Sequence, residues 1–192
     1  MGVSLSWLAI KGKLPEAVLG ELELRSAGKP GEVGRSPFVA AISDAGWYLL
    51  VFNRCEHHII SAPVVERLSA GCEVLTCTVE EHVMFSEATG WRDGHRLWLV
   101  THRGDDDTTK KTVSEEGTLP SEYSAIRERF FRQQEAENAA DAEVDFLFEI
   151  PVVLVQTFTG FKHDEASPVF EANGFELLES SKKSFFQRLF SK

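Results

Sequence analysis

Most signatures that betray an activity are missing from this sequence. It contains no C-x-x-C, H-E-x-x-H or H-x-x-E-H, the spacings that clamp a zinc ion. No G-x-G-x-x-G or Walker loop is present to cradle phosphates, and no G-x-S-x-G turn to present a nucleophile. Three cysteines are too few for a disulfide framework, and none has a secreted-scaffold spacing. No apolar run approaches the roughly 18 residues of a membrane span. The opening MGVSLSWLAI lacks the basic start and A-x-A-like end of a signal peptide, so a reducing cytoplasm is the expected compartment. Positive charge is scarce too. Twenty Lys and Arg stand against thirty Asp and Glu, a net charge of −10 that repels phosphate backbones, so no nucleic-acid partner is expected.

What remains is a chain of 192 residues, 43% hydrophobic and 26% charged, enough for one domain with a real core. VSLSWLAIKG (3–12) reads as a strand. LPEAVLGELEL (14–24) spaces Leu14, Val18 and Leu22 as a helical stripe, with Pro15 and Glu16 in its first turn. RSAGKPGEVGRSP (25–37) reads as a Gly/Pro loop. FVAAIS and WYLLVFN flank DAG (44–46), a hairpin signal. SAPVVERLSAG (61–71) is a short helix with Ser61 as cap and Gly71 past its end. Residues 72–88 form one long strand-like run, GWRDGHR turns, and RLWLVTHR (96–103) returns. The first six elements then match the ferredoxin-like order β-α-β-β-α-β. Helices follow at 119–137, with Tyr123, Ile126 and Phe130 on one face, and at 151–160, opened by Pro151 and closed by Gly160. The expectation is an α+β fold: a ferredoxin-like core with an extended antiparallel sheet and C-terminal helices, spanning residues 1–164. Residues 165–192 form a C-terminal extension.

Two stretches gather chemistry-bearing side chains, NRCEHHII (53–60) and CEVLTCTVEEH (72–82). Alternation along a strand puts Leu75, Cys77, Val79 and Val83 on one apolar face, which makes Cys77 a buried hydrophobe. Cys72, Thr76, Glu80 and His82 share the other face. Glu80 and His82, two apart, form a candidate pair of metal ligands, with a third from His57, His58 or His102. The commoner role for such residues is a solvated polar face. Cys55 and His57 are a candidate nucleophile and base, against the ordinary reading of an exposed unreactive thiol. Trp91 and Arg92, in the turn, are candidates for a partner contact, although core or turn packing is the usual place for a tryptophan.

The two ends add one pattern each. Gly2 and Ser6 fit the myristoylation pattern M-G-x-x-x-S, in residues that also read as the first strand. KKSFFQRLFSK, the last eleven residues, gathers Phe185, Phe186, Leu189 and Phe190 on one side of a short helix edged by Lys182, Lys183, Arg188 and Lys192. Such a segment docks on its own acidic body, in a partner's groove or on an anionic membrane, and any membrane contact is confined to 181–192.

GWYLLVFN (46–53), CEVLTCTVEEHVMFS (72–86) and VDFLFEIPVVL with TGFKHD (144–154 and 159–164) resemble a family of uncharacterised bacterial proteins. The resemblance covers about residues 1–164. It implies a bacterial, soluble, single-domain protein, and it brings no catalytic residues because the family has no assigned activity.

Two functions compete on this reading. The first is a non-catalytic protein-binding module, a small acidic accessory or immunity-like protein. The second is a small metal-dependent enzyme or ligand binder using the Glu80/His82 face. Lack of any catalytic signature favours the first, with another protein as partner and no cofactor.

Overall fold

Strand β1 (Ser4–Lys11) sets the architecture. Six successive residues from Leu5 to Ile10 are buried, the signature of a strand covered on both faces. Leu5, Trp7 and Ala9 enter one core, while Leu8 and Ile10 enter the other. Each such large apolar side chain contributes on the order of 1.5–3 kcal/mol by burial.

The computed structural model describes residues 2–104, 112–139, 144–165 and 174–181. The amphipathic segment expected at 181–192, with Phe185, Phe186, Leu189 and Phe190, therefore lies outside the described residues beyond Ser181. Along the chain β1 is followed by α1 (Pro15–Glu21), β2 (Leu24–Gly31), β3 (Phe38–Ile42), β4 (Tyr48–Phe52) and α2 (Ala62–Leu68). Next come β5 (Glu73–Glu80), β6 (Phe85–Arg92), β7 (His95–Arg103), β8 (Thr112–Gly117), α3 (Tyr123–Ala139), α4 (Glu149–Thr159) and β9 (Phe175–Ser180). The strands form one sheet in the order β2-β9-β3-β4-β1-β5-β6-β7-β8, and every neighbouring pair is antiparallel.

Helices cover both faces. Val18 of α1 and Val65 and Leu68 of α2 pack on one side with Leu8, Ile10, Leu50 and Phe52. On the other, α3 contributes Tyr123, Ile126 and Phe130, and α4 contributes Ile150, Val152, Leu154 and Val155, against Trp7, Leu49, Cys77 and Val100. No helix among the described residues is long and apolar enough to cross a membrane.

This is not the ferredoxin-like core expected from the sequence. In that core each helix carries the chain to a strand two places along, with one antiparallel strand between. The α2 crossover does this, since β4 and β5 flank β1. The α1 crossover does not: β2 lies at the sheet edge, four places from β1. The difference arises in residues read as loop. RSAGKPG forms an edge strand that tolerates its Gly and Pro because only one side is hydrogen-bonded, with a bulge between Ser26 and Pro30. Its ladder is supplied by β9, whose residues 175–180 fall in the stretch read as a C-terminal extension and insert between β2 and β3.

The long run 72–88 is also two strands. Met84 adopts a left-handed conformation (φ 49) after a 3-10 turn at Glu81–Val83, and the chain reverses into β6. Asp93 and Gly94, both at positive φ, close a two-residue hairpin to β7.

Candidate functional site

An apolar hollow lies where β5 starts, β6 ends and β7 starts. It has a volume of about 230 Å³ and is lined by Trp47, Leu75, Trp91, Leu97, Trp98 and Phe158, with Glu73 and Arg92 paired at its mouth. Its shape follows from two features of the backbone. Gly90 lies against the indole of Trp98, so that a Cβ built at Gly90 would collide with that ring. The pairing of β6 with β7 then slips: Gly90 opposes Trp98, Trp91 opposes Arg96, and Leu97 is left without a partner residue. Such a bulge re-aims side chains. Leu97 turns outward at 39% exposure while Trp47 and Trp98 stay buried beside it.

Trp91 is itself buried, at the end of β6 rather than in an open turn. Its indole N–H donates to Thr89 Oγ1 at 2.8 Å, and that hydroxyl meets Thr76 Oγ1 at 2.6 Å. Arg92 is exposed, bound to the Glu73 carboxylate. Lys11 Nζ stands 5.5 Å over the Trp47 ring. The hollow is thus an apolar box with a charged lip. It fits one aromatic or branched side chain better than a whole cofactor, which needs several hundred Å³.

The residues singled out for metal chemistry do not converge. Glu80 and His82 meet, Nδ1 to Oε1 at 2.6 Å, because Glu80 caps the 3-10 turn that contains His82. Hydrogen bonds from Ser4 and His82 hold the Glu80 carboxyl below its ordinary range. His57 caps a different turn through Nδ1 and stacks on Phe52, with centroids 4.6 Å apart. Burial, helped by His58 and Arg54, pushes its pKa down to about 4. His58 lies against the His57 ring. His102 is on the opposite face of the sheet, in register with Ser86 and Val79. Among the described residues no group of three or more His, Cys, Asp or Glu side chains is placed to hold a metal ion.

Nor is Cys55 an activated nucleophile. Contrary to its expected exposure it is buried, and burial with the Glu80 and Glu56 charges pushes its thiol up to about 11. A catalytic thiol requires the reverse shift. Cys77 is fully buried between Leu75 and Val79 in the core under α4, and Cys72 is buried on the other face.

Sequence reasoning missed the polar contacts made by TGFKHD. His163 Nε2 meets Glu81 Oε1 at 3.1 Å while the other Glu81 oxygen accepts the Val3 N–H at 2.7 Å. Lys162, 8% exposed, has carboxylate oxygens of Glu149, Asp164 and Glu165 at 3.3, 3.0 and 3.2 Å. A lysine and a histidine just after a Gly-capped apolar helix were the available signal. No protein-family model, curated protein or solved structure matches the chain.

Proposed function

We propose that this chain is a non-catalytic protein-binding module, and that its tryptophan-lined hollow receives one large apolar side chain of a partner protein. The observation that carries this reading is the pairing of a preformed aromatic box with the outward-turned Leu97 and the Arg92–Glu73 pair on its lip. Binding energy at protein interfaces concentrates in such buried aromatic and arginine anchors, with a polar rim to exclude water. The box is held open by Gly90 and the β6–β7 bulge, so a guest need not first reorganise it. The alternative through Glu80 and His82 gains less support, because the two side chains form a local turn cap and no third ligand stands with them.

Selection of displayed random peptides against the full chain tests the proposal. Enriched peptides should share one aromatic or branched aliphatic anchor. Their binding should be lost in Leu97→Asp and weakened in Arg92→Glu, both at positions where the fold does not depend on the side chain. Peptides without a common anchor, or binding indifferent to both variants, would refute it.

A further inference from the structure

A second hollow, of about 380 Å³, opens at the other end of β5, β6 and β7. Ser4, Glu80, Phe85 and Arg103 border it as one row across four strands, each in register with the next. Their side chains therefore leave the sheet on the same face. Arg54, Cys55 and Glu56, in the turn after β4, and Val83, in the turn between β5 and β6, complete the lining.

The charges here are fixed and kept apart. Glu80 is held by hydrogen bonds from Ser4 and His82, which keep its carboxyl below the ordinary range and so ionised. The Arg103 guanidinium lies 4.9 Å over the Phe85 ring. Phe85 stands between the two in the row, which sets their strands roughly 10 Å apart, and they form no ion pair. Arg54 and Arg103 are both exposed, and neither has a carboxylate within ion-pair distance among the described residues. Arg25, Arg92, Arg96 and Arg127 by contrast each hold one. Burial, then the charges of Glu80 and Glu56, push the Cys55 thiol up, so the negative pole of the hollow lies at its Cys55 end. The positive pole lies over Phe85.

A ligand that fits must carry both signs. A simple anion drawn to the arginines meets Glu80 and Glu56, and a simple cation drawn to the carboxylates meets Arg54 and Arg103. Val83, 44% exposed, offers a hydrocarbon surface beside these charges. We propose that this hollow binds a free apolar amino acid as its zwitterion, its ammonium on Glu80 and Glu56, its carboxylate on Arg103 and Arg54, and its side chain against Val83. A guanidinium fork matches a carboxylate, and an ammonium brings three donors and no acceptor, as the glutamates require. The site is separate from the tryptophan box and does not depend on its role.

The test is a calorimetric titration of the full chain with L-leucine, L-methionine and L-phenylalanine, with Tm recorded in parallel. Isocaproate, which is leucine without its ammonium, and isoamylamine, which is leucine without its carboxylate, serve as controls. Saturable binding of at least one amino acid with a rise in Tm is expected, and neither control should saturate. Arg103→Gln should weaken that binding about tenfold, the loss of hydrogen bonds to a charged group, while leaving the ligand-free Tm unchanged because its side chain is exposed. Arg54→Gln, also at an exposed position, should weaken it by a similar factor and serves if Arg103→Gln does not fold. The proposal is overturned if no amino acid saturates the protein at millimolar concentration, if isocaproate or isoamylamine binds as well as leucine, or if the folded arginine variants bind like the native chain.

Discussion

His102 and Asp145 meet at 3.1 Å across the seam between β7 and the turn that leads into α4, with the imidazole wholly buried and the carboxylate nearly so. The other ring nitrogen, Nδ1, lies 3.0 Å from the Thr112 carbonyl oxygen, which can only accept, so Nδ1 carries a proton. The Nε2–Oδ2 contact, at 3.1 Å, has the length of an ordinary hydrogen bond. Asp145 also accepts the Leu147 N–H at 3.2 Å, so one side chain ties β7 to the 3-10 turn at Phe146–Phe148.

Removing one partner of such a pair leaves the other buried without it. Asp145→Ala is expected to cost about 3–5 kcal/mol. His102→Leu, which removes the stranded polar group and keeps bulk, should cost less than His102→Ala. Urea unfolding at neutral pH measures all three. A loss below about 1 kcal/mol for Asp145→Ala would mean that the seam is held by apolar packing alone.

The three cysteines give a second expectation. All are buried, and burial raises the pKa of each, that of Cys55 to about 11. At neutral pH Cys55 then holds roughly a hundredfold less thiolate than an ordinary cysteine. Native labelling by a water-soluble disulfide reagent should therefore be slow at all three sites and slowest at Cys77, and should still be accelerating above pH 9. Fast stoichiometric labelling of Cys55 at pH 7 would contradict its placement.

Cys77 also shows what could be read in advance. Its alternation with Leu75 and Val79 put it in a core, and it is there, because a period of two survives any change in which strands are neighbours. The DAG hairpin, the stripe of Tyr123, Ile126 and Phe130, and Gly160 as a left-handed helix stop were legible for the same local reason. Strand β2 was not, because nothing within RSAGKPG favours a strand; its pairing is imposed by β9, about 150 residues away, through contacts such as Arg25–Glu179 at 2.8 Å. The tryptophan box was invisible for a related reason. Trp47, Trp91 and Trp98 could each be placed in or beside a strand, but no local pattern shows that Trp47 and Trp98 share one core while Trp91 packs in the other, with all three bordering one hollow.

Gly90 is the most restrictive position in the box. A methyl group there collides with the Trp98 indole. Gly90→Ala is expected to destabilise by about 1–3 kcal/mol, the usual cost of forced repacking. The emission of the tryptophans should shift to the red as Trp98 is displaced into water. A variant with native stability and native emission would show that the box is softer than its geometry implies.

Lys162 gives the clearest pH dependence. Burial opposes its charge, but the Asp164 hydrogen bond and the Glu149 and Asp164 charges outweigh that and raise its pKa. On the other side of the pair, burial of Asp164 is outweighed by the Lys162 hydrogen bond, which lowers the carboxyl's pKa. A raised lysine contributes stability below its unfolded value and loses it as pH rises through the folded value. A lowered carboxylate contributes above its unfolded value and loses it as pH falls through the folded one. The cluster is thus fully effective between about pH 5 and pH 10. Asp164 and Glu165 are about half exposed, so solvent screens much of the attraction. Lys162→Met keeps the aliphatic packing and removes the charge. It should cost about 1–3 kcal/mol at pH 7, as for hydrogen bonds to charged groups, and the deficit should shrink as pH falls below about 4 and the carboxyls protonate. Chemical denaturation of the native chain and the variant at pH 3.5, 5, 7 and 9, roughly spanning those ionisations, tests this. A deficit that stays constant across the series would assign the role of Lys162 to its hydrocarbon stem rather than its charge.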